Sequence, residues 1–220
     1  MGALAPSALA LDDVATLPAD ARAARLAELG AVVGVAGIVT LGLMYAVEVP
    51  RGGPYRFGAA NDLCGAAFSA LFIPVASRVA RHLPDTPGLQ FLTRASLIAA
   101  GAGAILPILL VAGVMPFEVE TPLVIACIEL ESIWLVVAGQ RLGSVPTFPK
   151  TLARLSRLVG ASFIAGTAIV AVGFAIPETS PLRIVAWGVG GVVGAAGWLG
   201  WPYWYHALAH EWRRGTRRGA

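Results

Sequence analysis

The sequence predicts an all-α, polytopic transmembrane bundle of six helices with the N-terminus and C-terminus in the cytoplasm. Three observations predict it. The 220-residue chain is 57% hydrophobic and only 13% charged, whereas a soluble domain carries about 25% charged residues. Six stretches reach the roughly 20 mostly apolar residues that a helix needs to cross a bilayer. The basic residues also sort by side. Of the 16 Lys and Arg, all but Arg51, Arg56 and Arg183 fall in the N-terminal tail, the second and fourth connections with their adjoining helix ends, or the C-terminal tail. That alternation is the positive-inside pattern.

The expected spans run from about Gly30 to Val49, Ala59 to Ala80, Phe91 to Met115, Thr121 to Leu142, Leu152 to Ile176 and Leu182 to Leu208. Continuous apolar runs of this length favour helices over the alternating ten-residue strands of a membrane barrel. Residues 1–29 read as a cytoplasmic tail ending in a short amphipathic helix over Pro18–Leu29, residues 30–208 as the bundle and residues 209–220 as a basic tail. That helix lies on the membrane surface or leads directly into the first span. Asp12, Asp13 and Asp20, with no basic residue before Arg22, do not suit a cleavable signal. The connections are short and rich in Pro and Gly, as in Pro50-Arg51-Gly52-Gly53-Pro54, and leave no room for a soluble domain.

Small residues four apart, Gly30 with Gly34 and Gly190 with Gly194, allow close helix packing within the bundle or at a dimer seam. Pro74 and Pro107 fall inside spans, where each removes a backbone bond. Trp198, Trp201 and Trp204 crowd the inner end of the last span and are expected as headgroup-zone anchors. Arg213 and Arg214 suit anionic lipid headgroups, at about 1 kcal/mol per basic residue. The expected partners are therefore the lipid bilayer, other membrane subunits or a second copy. Nucleic acid is not expected, because the basic residues hug helix ends and form no single stripe.

Glu129 and Glu131 are the strongest chemical candidates. They lie about 10 and 13 Å along the fourth span from Pro122, at about 1.5 Å per residue. A charged side chain near the midplane costs at least about 2.5–3.5 kcal/mol, so a neutral acid is favoured there, able to donate a hydrogen bond or carry a proton. The two point about 200° apart on a regular helix, which argues against a catalytic pair on one substrate atom. One of them handles a proton, a cation or a polar ligand group, or both make interhelical hydrogen bonds, to Asn61, Asp62, Ser69, Thr167 or another chain. Asn61 and Asp62 begin the second span, where Arg56 is a candidate ion-pair partner for Asp62.

His206 and His210 share one helical face, with Glu211 beside them, and His82 is expected on the same side of the membrane. They are weak metal candidates, because Ala207 stands where a metalloprotease helix carries its glutamate. Cys64 and Cys127 are expected as apolar fillers without a disulfide. No phosphate-binding loop occurs, and the only lysine, Lys150, lies in a loop, so no cofactor is expected.

One pattern is familiar. Ile133-Trp134, Gly139 and Arg141, then Pro149-Lys150, Leu152 and Leu155, then Val159-Gly160, resemble uncharacterised six-helix bacterial integral membrane proteins, a domain-of-unknown-function family. Gly200-Trp201-Pro202-Tyr203-Trp204-Tyr205 resembles the way many of their last spans end. His206 to Glu211 departs from their usual Gly-Arg-Arg-Leu-like ending. The resemblance covers the second half of the chain and implies the fold, with no activity to transfer. Together with the Ala, Gly and Arg richness, it places the protein in the inner membrane of a bacterium. The functional expectation is an accessory or scaffold subunit of a membrane assembly. The alternative is a small transporter or ligand-binding bundle using Glu129 or Glu131.

Overall fold

The structure, a computed structural model, describes Leu17 and residues 20–218, the last three of these by backbone alone. Among the described residues it is all-helical. The helices are α1 (Ala21–Leu43), α2 (Arg56–Ala80), α3 (Pro87–Val111), α4 (Phe117–Leu142), α5 (Lys150–Ala175) and α6 (Pro181–Arg218). A π-helical turn, Met44–Glu48, and a 3-10 turn, Val49–Arg51, prolong α1. Each of the six is long and apolar enough to cross a membrane, and their outward faces carry exposed Ile98, Ile184 and Val192. Apolar residues on the outside are what a hydrocarbon solvent selects, while the helical backbone satisfies its own polar groups.

Local chemistry sets the ends. Asp20 caps α1, its Oδ1 accepting from Ala23 N–H at 2.9 Å. The break before α2 falls where Gly52 and Gly53 adopt positive φ of 71° and 100°. Pro87 and Pro181 stand in the first turns of α3 and α6, where no N–H is missed. Residues 1–16, 18, 19, 219 and 220 lie outside the described residues, and with them most of the expected N-terminal tail. The expected amphipathic segment is, from Ala21 onward, the first turns of α1. The expected basic tail is, as far as Arg218, the continuation of α6. Trp212, 2% exposed, buries this extension against the bundle.

Each helix packs on its neighbours in sequence, and α6 returns to α1, closing a ring. Glycines set the closest approaches. A Cβ on Gly160 would lie 2.4 Å from the Ser132 carbonyl oxygen, and one on Gly166 would lie 2.6 Å from the Gly194 backbone. Gly30 faces the Tyr205 ring, and Gly34 faces Pro202 and Phe68. Both four-apart pairs therefore serve contacts within the chain.

The end of the ring that holds the start of α1 and the end of α6, the proximal end, is filled by aromatic rings. Phe68 and Phe72 of α2 meet Trp201 edge-on at 5.5 and 5.8 Å, Phe72 meets Trp134 at 5.5 Å, and Phe163 meets Trp201 at 5.2 Å. Such pairs contribute about 0.5–1.5 kcal/mol each beyond the area they bury. This corrects the expectation for two tryptophans. Trp201 and Trp204 are 2% and 1% exposed and belong to the core, not to the headgroup zone. Both stand on the face of α6 turned toward α2 and α5. Trp204 donates its ring N–H to Ser156 Oγ at 2.7 Å. Ion pairs clasp the same end: Asp20 with Arg78, and Glu28 with Arg213.

Candidate functional site

Toward the distal end, where α1–α2, α3–α4 and α5–α6 connect, the aromatic filling stops and a cavity of about 220 Å³ begins. All the helices except α5 line it. Its α4 wall follows helical periodicity. Glu120, Val124, Ile128 and Glu131 succeed one another by three or four residues, the spacing that keeps side chains on one face. Glu120 and Glu131 are eleven positions apart, close to three full turns and about 16 Å along the axis. One face of α4 thus carries a carboxyl group at each end of the cavity wall. From α2, Asp62 lines the same cavity.

Glu131 is 1% exposed, and its Oε1 has no hydrogen-bond partner. The Trp201 ring nitrogen is likewise buried without a partner. Both residues line the cavity. An unpartnered buried polar atom carries a penalty of about 1–3 kcal/mol, and here the acceptor and the donor both belong to residues of the cavity lining. Two prolines add acceptors. Pro107 and Pro202 have no N–H to give the carbonyls of Gly103 and Trp198, four residues back, and all four residues line the cavity. No Lys, Arg or His is among the lining residues.

The other expected site residues are distributed as follows. Asn61 joins Asp62 on the cavity wall. The expected Arg56–Asp62 ion pair does not form. Six residues turn a helix through about 600°, which sets the two on different sides of α2. Asp62 faces the cavity beside Asn61 instead. Glu129 does not line the cavity. It lies between Ala126 and Ile133, three positions before and four after it, both exposed, and its Oε1 also lacks a partner. Neither glutamate Oε1 makes the interhelical hydrogen bond weighed from the sequence. Trp198 is 40% exposed and also lines the cavity.

His206 and His210 line a surface groove between α5 and α6 with Arg154, Tyr203 and Glu211. His82 lies in the α2–α3 connection against the Phe148 ring, centroids 5.8 Å apart. Burial pushes its pKa below the ordinary histidine value. No three His, Cys, Asp or Glu side chains among the described residues are grouped to hold a metal ion. Arg213 pairs with Glu28, and Arg214 with Glu211 at 3.3 Å; both guanidinium groups stay about half exposed. Cys64 and Cys127 are free thiols.

Two residues of importance escaped the sequence reading. Glu120 was assigned to a connection, although counting back three turns from Glu131 along α4 reaches it. Glu48, one residue inside the expected end of the first span, is 6% exposed and binds the start of α2: its carboxylate accepts from the N–H groups of Arg56, Phe57 and Gly58 at 2.6–3.2 Å. No family model, curated protein or solved structure matches the chain.

Proposed function

We propose that this protein is a small ligand-binding bundle of transporter type, whose central cavity is its binding site and whose Glu131 handles the polar part of the ligand or a proton. The observation that carries the reading is Glu131 itself. It is a nearly fully buried carboxyl group with an unpartnered oxygen on the wall of a cavity it does not fill. A residue kept for packing or helix pairing would have its polar atoms satisfied by protein. Intramembrane ionisable groups facing a cavity mark ligand or proton pathways. The aromatic cluster closes the cavity toward the proximal end, which suits a site reached from the other half of the bundle. The basic proximal end supports an assignment of both termini to the cytoplasm of a bacterial inner membrane, with Arg213 and Arg214 near anionic headgroups. The cavity then belongs to the external half.

A second reading, an accessory subunit of a larger assembly, draws on Glu129. It lies on a face of α4 shared with exposed Ala126 and Ile133, and that apolar face suits a helix of another protein.

Native mass spectrometry of the chain, gently extracted from its own membrane, separates the two. A small molecule bound to the wild type and lost in Glu131→Leu supports the binding bundle. Stoichiometric foreign protein chains, released by Glu129→Leu, with no small molecule retained, support the subunit.

A further inference from the structure

Resting on the reading of the cavity as a ligand site, we infer that its ligand is a small organic cation, a protonated amine on a body of about one aromatic ring, and that it enters in exchange for the proton of Glu131. The sign of the charge follows from the wall. Asp62, Glu120 and Glu131 line the cavity and no basic side chain opposes them, so the wall can balance a cation with a carboxylate and has no charge to balance an anion.

The size follows from the volume. An engineered apolar cavity of about 150 Å³ accommodates benzene. A cavity of about 220 Å³ holds such a ring with a short polar arm. The body follows from the aromatic part of the lining, Phe68 of α2, Phe117 of α4, and Trp198 and Trp201 of α6. They suit a flat apolar group, and a tryptophan face attracts an ammonium besides. An ammonium has three N–H donors. Acceptors for them belong to residues of the lining: the Glu131 carboxylate and the Ser69 hydroxyl, with the Gly103 and Trp198 carbonyls that proline leaves without their helical donor. The Trp201 ring N–H is an unpartnered donor and takes a hydroxyl oxygen on the ligand.

The exchange follows from the surroundings of Glu131. The titratable groups facing it are Tyr205 of α6 and Cys127 of its own helix, with Asp62 and Cys64 of α2 and Glu120 in the same cavity. None is basic, and α1 and α3 add no titratable group to the lining. An ionised Glu131 alone would be an uncompensated charge in an apolar medium, so without a cation it holds its proton. When the ammonium enters, the Glu131 O–H bond breaks, the proton leaves to water through the cavity, and the carboxylate pairs with the ammonium. One positive charge enters and one leaves.

The test uses three molecules of one skeleton: protonated 2-amino-1-phenylethanol, the neutral 1-phenyl-1,2-ethanediol and the mandelate anion. Each is titrated into the full chain in lipid nanodiscs, read by tryptophan fluorescence and by a pH dye in weak buffer. The amine is expected to saturate with about one proton released per ligand. Its apparent affinity should fall about tenfold for each pH unit of acidification, as one-proton linkage requires. The diol should bind at least about tenfold more weakly, and mandelate should not compete. Glu131→Gln should remove the proton release. Should that variant fail to fold, the pH dependence of the wild type makes the same decision. Equal binding of amine and diol without proton release overturns the exchange and leaves the cavity reading intact. Absence of any response to all three, with foreign protein chains retained in native mass spectrometry, overturns both.

Discussion

Both carboxylate oxygens of Glu48 accept the backbone N–H of Phe57, at 3.0 and 2.9 Å. The end of α1 thereby caps the start of α2 from eight to ten residues away, with Arg56 and Gly58 N–H groups as the outer contacts. Tyr55, at the N-cap position, contributes no side-chain bond of its own. An anion at a helix N-terminus satisfies unpaired N–H groups and complements the helix dipole. Hydrogen bonds to a charged group are worth about 1.5–3 kcal/mol each when removed. Glu48→Ala is therefore expected to lower stability by about 2–3 kcal/mol and Glu48→Gln by less, measured as thermal melts in detergent. Unchanged melts would refute the cap.

Replacing Glu131 with leucine should stabilise the protein while ending its ligand response. The substitution removes an unpartnered buried oxygen and supplies an apolar side chain of similar size. Such exchanges are neutral or stabilising by about 1–3 kcal/mol. A structural hydrogen bond at Glu131 would make the same variant less stable, so the direction of the melting shift discriminates.

Close glycine contacts give an internal pair of controls. Gly160→Ala places a methyl group against the Ser132 carbonyl, and the α4–α5 contact must open; a loss of about 1–3 kcal/mol is expected. Gly191→Ala meets nothing within 4 Å and should be neutral or gain up to about 1 kcal/mol in helix propensity. Melts of both variants in one detergent check the prediction.

Acid should weaken the fold through His82. Its partial burial holds the pKa below the ordinary 6.5, so the unfolded chain takes up the proton first as the pH falls. Stability then drops below about pH 6.5, because protons favour the state that binds more of them. His82→Asn should flatten the difference between melts at pH 5 and pH 7.5. Equal slopes in the two proteins would sink the assignment.

Within α4, the sequence singled out Glu131 but could not rank it above Glu129. The 200° between them states only that they diverge, and which one faces inward depends on where the neighbouring helices stand. Glu120 went unread because the expected span began at Thr121, one residue too late. Trp201 and Trp204 were misassigned for a related reason. A tryptophan near a helix end fits the headgroup zone and the core equally well by composition, and only the Phe68 and Phe72 rings across the bundle decide between them.

What the sequence determined by itself was the all-helical class and the six spans, since apolar runs of that length have one stable form in lipid. The breaks between them were legible too, because Pro and Gly act locally, whereas the extensions of α1 back to Ala21 and of α6 to Arg218 were not. The closed ring, the one-sided cavity and the partnerless Glu131 oxygen were decided by the tertiary structure. They depend on which faces of the six helices meet, and that follows from contacts such as Gly160 on Ser132, made by residues far apart in the chain.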